Sequence, residues 1–179
     1  MRFPDIRSAN AIALRVFQIE AQAISALAEK LDTNFGNAVH AILATPGRTI
    51  ICGMGKSGII GRKLAATLAS TGTPAFFMHP AEAFHGDLGM VTANDVFVAI
   101  SNSGQTKEVI KLLPFLKDNG NQLIAITGDP TSVLAQTASF HLNVAVREEA
   151  CPLQLAPTAS TTAALAMCDA LAVALMEAR

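Results

Sequence analysis

The sequence predicts an α/β fold, a three-layer αβα sandwich around a five-stranded parallel sheet, and three observations carry that prediction. Short apolar runs alternate with helix-period segments from about Arg48 onward, the signature of strand–helix–strand units. The runs "VFVAI" and "LIAI" show no polar alternation, as expected of strands covered on both faces. Apolar residues make up 51% of the 179-residue chain and charged residues only 15%. An average domain carries roughly 25% charge, so an unusual share of this chain must be buried, in a covered sheet or in a subunit interface.

The elements follow in order. Ser8 to Leu31 reads as a long helix, with apolar residues at Ile12, Val16, Ile19, Ala23, Leu27 and Leu31, spaced by three and four. A second helix is expected from Asn34 to Ala44, before the break at Pro46-Gly47. "RTIICG" is the first strand, and a helix from Ser57 to Ser70 follows it, closed by Gly72 and Pro74. "AFFMH" is the second strand and "DVFVAIS" the third, the latter followed by a helix from Thr106 to Lys117. "QLIAIT" and "FHLNV" complete the sheet, and an Ala-rich helix runs from about Ser160 to Glu177. The chain reads as one domain without linker or repeat. Ligands of such sheets sit outside the carboxyl ends of the strands, so the residues that follow each strand are the candidates for function.

Bulk properties exclude several classes. A net charge of −1 implies no basic face for nucleic acid. The run "TAALAMCDALAVALM" contains Asp169 and reads as too short to span a bilayer, so no membrane partner is expected. "MRFPDIRSAN" lacks the apolar segment of a secretory signal. Cys52, Cys151 and Cys168 form no metal-binding or redox spacing. Reduced thiols in a cytoplasmic protein are the expectation, with no metal site and no cofactor.

The stretch "IICGMGKSGIIGRK" contains parts of two phosphate-binding motifs. A P-loop needs a glycine five residues before Gly55, but Ile50 stands there, inside the strand. The spacing Gly53-x-Gly55-x-x-Gly58 fits the dinucleotide fingerprint. That fingerprint also needs an acidic residue at the end of the second strand, where His79-Pro80 stands, and Lys56 intrudes between its glycines. The physics common to both motifs remains. Gly53 and Gly55 let backbone approach a ligand, Ser57 opens a helix whose N-terminus favours anions, and Lys56 adds a positive charge. This describes a site for a small phosphorylated ligand. After the third strand, "SNSGQTKEV" places Ser101, Asn102, Ser103, Gly104 and Thr106 together. Three hydroxyls with helix N-terminal amides can cage a phosphate monoester, although one such hydroxyl alone would be an ordinary cap.

In this order, "GMGKSG", "SNSGQT" and "APTASTT" resemble the sugar isomerase (SIS) domain, a flavodoxin-like doubly wound fold that binds phosphosugars. The segments "GKSGIIGRKLAATLASTGTPAFFMHPAEAFHGDLGM" and "EEACPLQLAPTASTT" are similar to the arabinose-5-phosphate isomerase branch of that family. The resemblance covers about Ile50 to the end of the chain. It implies interconversion of D-ribulose 5-phosphate and D-arabinose 5-phosphate, a pentose 5-phosphate substrate, and a homo-oligomer, expected to be a tetramer. It also implies supply of the eight-carbon sugar Kdo for lipopolysaccharide or capsule. The competing expectations are an isomerase of six- or seven-carbon sugar phosphates and a non-catalytic phosphosugar sensor.

Aldose–ketose isomerisation moves a proton between adjacent carbons through an enediol. It needs a base, a group to steady the enediolate oxygen, and a grip on the phosphate. The resemblance points to Lys56, His85, Glu108 and Glu149 as catalytic residues. Lys56 is suited to the enediolate oxygen or the phosphate, and His85 to ring opening or carbonyl polarisation. Glu108 and Glu149 are both candidates for the base. As a helix-start glutamate, Glu108 could instead complete a capping box. Gly55, Ser57, His79, the Ser101–Thr106 residues named above, Thr158 and Ser160 are the expected substrate contacts. Thr158, Ser160 and Thr161 would otherwise supply N-cap hydroxyls to the last helix. His40 and His141 read as structural, and Asp87 as a turn cap, with positioning of His85 as the alternative. Many family members carry two CBS modules after the SIS domain and follow the last helix with a His-Pro-Gly-Gly segment. This chain stops at Arg179, so the expectation is a single SIS domain over residues 1–179 without CBS modules, its tail cut short.

Overall fold

The computed structural model describes residues 6–179. The sequence reading of residues 1–5, part of the segment expected to lack a signal, lies outside the described residues. Five strands form one parallel sheet in the order β2-β1-β3-β4-β5. They are β1 (Thr49–Gly53), β2 (Ala75–Met78), β3 (Val96–Ile100), β4 (Gln122–Thr127) and β5 (Phe140–Asn143). The helices are α1 (Ile6–Ser25), α2 (Thr33–Ala44), α3 (Gly55–Ser70), α4 (Pro80–Ala83), α5 (Lys107–Ile110), α6 (Leu113–Asp118), α7 (Val133–Thr137) and α8 (Ala159–Glu177).

The unbroken apolar strands divide their side chains between two cores. Ile51, Val96, Val98, Ile100, Ile124 and Ile126 face a cluster closed by α2, α3 and α8. Their chain neighbours Ile50, Cys52, Phe97, Ala99, Leu123 and Ala125 face a second cluster closed by α4, α5, α6 and α7. Alternate residues of a strand point to opposite faces, so an apolar residue at every position requires a helical layer on each side. Burial pushes the Cys52 and Cys168 thiols up to about 12, which leaves both as packing groups rather than nucleophiles.

Two expected helices differ in the structure, and the last agrees in its bounds but not in its expected shortness. The first ends at Ser25, and a 3-10 turn over Ala28–Lys30 completes the stretch. Only its C-terminal half reaches the core: Ala23 and Leu27 are buried, while Ile12 and Leu31 are about half exposed. The helix expected from Thr106 to Lys117 splits into α5 and α6. Pro114 has no N–H to bond the Ile110 carbonyl, and its ring crowds the preceding turn. The last helix extends past the quoted apolar run to 19 residues. By length and composition α8 is therefore long and apolar enough to cross a membrane, as is the stretch Arg7–Lys30. In α8, half of that window is buried inside the domain, as the core helix of a covered sheet must be.

The amino end of the sheet is closed by Asp95, which is 2% exposed. Its carboxylate accepts from the Arg48 amide at 2.7 Å and from the Thr92 amide at 2.7 Å, with the Thr92 hydroxyl at 3.0 Å and the Arg48 guanidinium at 3.5 Å. The carboxyl end is tied by glycine. Gly104 has φ +59, and a Cβ there would lie 2.0 Å from the Ser132 hydroxyl oxygen. The loop after β3 thus packs directly on the buried N-cap of α7, with the Leu134 amide donating to the Gly104 carbonyl at 3.2 Å.

Gly104→Ala should therefore cost at least about 2 kcal/mol, from left-handed backbone strain and a clash with a buried side chain; urea denaturation measures it. Asp95→Asn should cost about 1–3 kcal/mol at neutral pH. Burial alone would raise the Asp95 carboxyl, but the hydrogen bonds from Thr92 and Arg48 outweigh it and hold it below its ordinary value. Its contribution is present above the unfolded value near 3.9 and is lost as pH falls through the lower folded value. The stability gap between the two proteins should accordingly close under acid, when followed by denaturation at a series of pH values.

Candidate functional site at the sheet switch point

Strand order reverses between β1 and β3, and there the carboxyl ends Gly53 and Ile100 lie side by side. A crevice opens at such a point. Here it is a cavity of about 190 Å³. Its floor is Ile100 and Ile126 from the sheet, and its polar lining is Lys56, Ser57, Asn102, Ser160 and Thr161.

The glycine motif builds one wall. A Cβ on Gly58 would lie 2.6 Å from the Gly53 carbonyl oxygen, so this glycine is what lets α3 approach β1. Gly55 has φ +56 and starts α3 two residues earlier than the sequence suggested. No side chain caps this 16-residue helix, and an uncapped N-terminus beside an exposed Lys56 attracts anions.

The loop after β3 is more self-contained than expected. The Ser101 and Thr106 hydroxyls bond each other at 2.8 Å, and Ser103 Oγ accepts from the Gln105 amide at 3.2 Å. Asn102 is the residue of this loop that lines the cavity. Ser103 acts as an acceptor in its bond, so its O–H remains free to donate outward. The Thr106 hydroxyl is turned to Ser101 and makes no cap bond, so the capping box that would have explained Glu108 is not formed.

Glu108 and His85 share a different space, an open cleft of about 500 Å³ lined also by Phe84 and Lys111. The structure does not bring these two residues into the Lys56 cavity. Lys111 was missed in the sequence, although its place three residues after Glu108 puts both on one helical face. His79 is engaged at the start of α4, where its Nδ1 accepts from the Ala81 amide at 3.3 Å. Asp87 opens a 3-10 turn over Asp87–Met90 but caps nothing with its side chain, contrary to expectation. His141 Nε2 lies 2.9 Å from the Thr127 hydroxyl, and burial holds its imidazole below the ordinary value.

Glu149 has the best-defined surroundings. One carboxylate oxygen accepts from the Thr158 amide at 2.7 Å, the Thr158 hydroxyl at 2.9 Å and the Ser160 amide at 3.2 Å. It is therefore Glu149, and not the expected hydroxyls of Thr158, Ser160 and Thr161, that caps α8. Thr158 itself turns toward Ala150 and Glu149, and Thr161 bonds back to the Thr158 carbonyl at 2.8 Å. The Ser160 hydroxyl is buried without a hydrogen-bond partner. Burial by itself would raise the Glu149 carboxyl; the nearby Ser160 side chain and the Thr158 and Ser160 amides outweigh it, leaving the group below its ordinary value. Gln154 clamps the loop, its side chain accepting from the Glu149 amide at 2.7 Å and donating to the Glu149 carbonyl at 2.8 Å. It does so at φ +55, and nothing in its sequence context marks it.

The cavity offers the Lys56 cation, the Ser57 hydroxyl and a helix N-terminus, with the Glu149 carboxylate bonded to the helix turn that carries Ser160, an arrangement suited to a phosphorylated, hydroxylated ligand. The arabinose 5-phosphate isomerase KdsD of Pseudomonas aeruginosa PAO1 is 53% identical over 167 residues, which is 93% of this chain and 51% of that protein. The arabinose 5-phosphate isomerase KdsD of Escherichia coli K12 is 56% identical over 164 residues, 92% of this chain and 50% of that protein. The chain thus spans about half the length of the curated relatives it matches. The solved structure of E. coli CFT073 c3406 in complex with arabinose 5-phosphate superposes with a TM-score of 0.93 at 42% identity, covering 98% of this chain and 93% of that one. Residues 42–174 match the model of the SIS domain, and with the αβα sandwich described above they establish that this chain belongs to the SIS domain family.

Proposed function

We propose that the protein interconverts D-ribulose 5-phosphate and D-arabinose 5-phosphate through an enediol. The observation that carries this reading is the switch-point cavity lined by Lys56, Ser57, Asn102 and Ser160, with the Glu149 carboxylate bonded to the backbone of that same Ser160. The names of the KdsD relatives and the arabinose 5-phosphate bound to c3406 support the same substrate class.

In this reading the α3 N-terminus, Ser57 and the Ser101–Thr106 loop hold the phosphate. Glu149 takes the carbon-bound proton, since it is ionised throughout the neutral range. Lys56 steadies the negative oxygen of the enediolate. His85 and Glu108 serve ring opening and proton delivery from the neighbouring cleft. The product would feed Kdo synthesis in the cytoplasm. The apolar side chains of Ile12, Leu14, Phe17 and Ile24 stand exposed along α1, which supports assembly into a homo-oligomer, a tetramer in this reading.

Glu149→Gln should lower kcat by about 10³-fold and leave KM little changed, since it keeps the shape but removes the base; steady-state kinetics with both pentose phosphates measures this. The test of the reaction itself is a proton NMR time course with ribulose 5-phosphate in heavy water. Arabinose 5-phosphate should accumulate with deuterium at C2, as an enediol that exchanges with solvent requires. Binding without turnover would instead identify a phosphosugar sensor, and turnover of only six- or seven-carbon sugar phosphates would move the substrate within the family.

A further inference from the structure

We propose that Thr158 is a positioning residue and not a substrate contact: its hydroxyl ties the Ala150 amide to the Glu149 carboxylate and so fixes that carboxylate beside the cavity. The inference rests on the reading of Glu149 as the base, and it reassigns a residue that the family resemblance placed among the substrate ligands.

The argument is one of hydrogen-bond capacity. A threonine hydroxyl has one proton and two lone pairs. The Ala150 amide donates to Thr158 Oγ1 at 2.8 Å and occupies one lone pair. An ionised carboxylate can only accept, so the hydroxyl proton is directed to Glu149 Oε2, 2.9 Å away. Nothing remains for Thr158 to donate to a sugar. Ser160, two residues on, is 2% exposed and lines the cavity, and its side chain also acts on the Glu149 carboxylate.

Polar contacts hold most of the segment between Glu149 and Thr158, since Leu153 and Leu155 are 73% and 78% exposed. The Cys151 sulfur takes hydrogen bonds from the backbone of Ala156, Leu153 and Leu155, Gln154 clamps the Glu149 backbone, and Thr158 holds the carboxylate. A base misplaced by even 1 Å loses much of its rate, so a side chain that touches no substrate can still set the rate.

The same hydroxyl acts on the charge of Glu149. Hydrogen bonds to the charged form lower a carboxyl pKa. The causes of the Glu149 shift are burial and the groups of Ser160 and Thr158, with no charged side chain among them. The surrounding charges are Arg147 and Glu148 on its own loop, Lys56 at the cavity, and Glu20 of α1, which accepts from Thr162 at 3.0 Å. Removing the Thr158 hydroxyl should therefore raise the Glu149 pKa.

The test compares Thr158→Val, which keeps the shape, with Thr158→Ser, which keeps the hydroxyl. Carbon-13 NMR of carboxyl-labelled glutamate follows the Glu149 titration, with the resonance identified by its loss in Glu149→Gln. The expected result is an upward shift in T158V and a near-normal titration in T158S. In kinetics, the acid limb of kcat/KM should move upward in T158V, with KM nearly unchanged. A folded T158V, by circular dichroism, whose Glu149 titrates as before would overturn the proposal. So would a raised KM at constant kcat, the mark of a lost substrate contact. The titration is read without turnover, so failure of the isomerase reading and failure of this inference appear in separate measurements.

Discussion

Every side chain of β1 and β3 is buried, and so is all of β4 after its first residue. The rest of the structure depends on this constraint. A parallel strand whose alternate residues are both apolar cannot leave either face wet, and each crossover must pass through a covering helix. The helices then return the chain to the same edge of the sheet each time. The loops that leave the strands all gather at the carboxyl end. Where strand order reverses, between β1 and β3, two of those loops diverge and leave space. The cavity follows from how the core is buried.

Polar groups at that end are held by a few well-placed contacts. The α8 N-terminus is a positive site that must find an acceptor, and it finds the carboxylate of Glu149. One bond network thereby caps a buried helix, closes an exposed loop and sets the charge of a candidate base. At the other wall α3 keeps its N-terminus free of any side-chain cap. The two helix ends have similar physics and opposite assignments: one is satisfied within the protein, and the other is available to an anion.

Much of this was legible beforehand. The five strands, the αβα layering and the placement of chemistry after β1 and β3 follow from apolar runs and glycine spacing. Gly53 and Gly58 stood out by their motif spacing, and the structure shows what Gly58 is for, the close approach of α3 to β1 that excludes a larger residue. The break between α5 and α6 was also legible, as Pro114, though the sequence reading ran one helix through it. Other features were not legible. His79 and Glu149 are both polar residues in loops, and only their neighbours distinguish a helix cap from a base. Gln154 takes a left-handed backbone with no glycine to announce it.

The sequence by itself determined that the strands are buried on both faces, that glycines follow the first and third of them, and which polar groups stand beyond the strand ends. These depend on local chemistry and on the period of the pattern, and both are written along the chain. Only the tertiary structure decided how the polar groups pair. It separated His85 and Glu108 from the Lys56 cavity. It turned Ser101 and Thr106 toward each other, and it set Glu149 on a helix that starts ten residues later. The physical reason is that a hydrogen bond forms between groups within about 3 Å in space. Residues nine or eleven positions apart along a loop meet at that distance only after the sheet and α8 have fixed where the loop begins and ends.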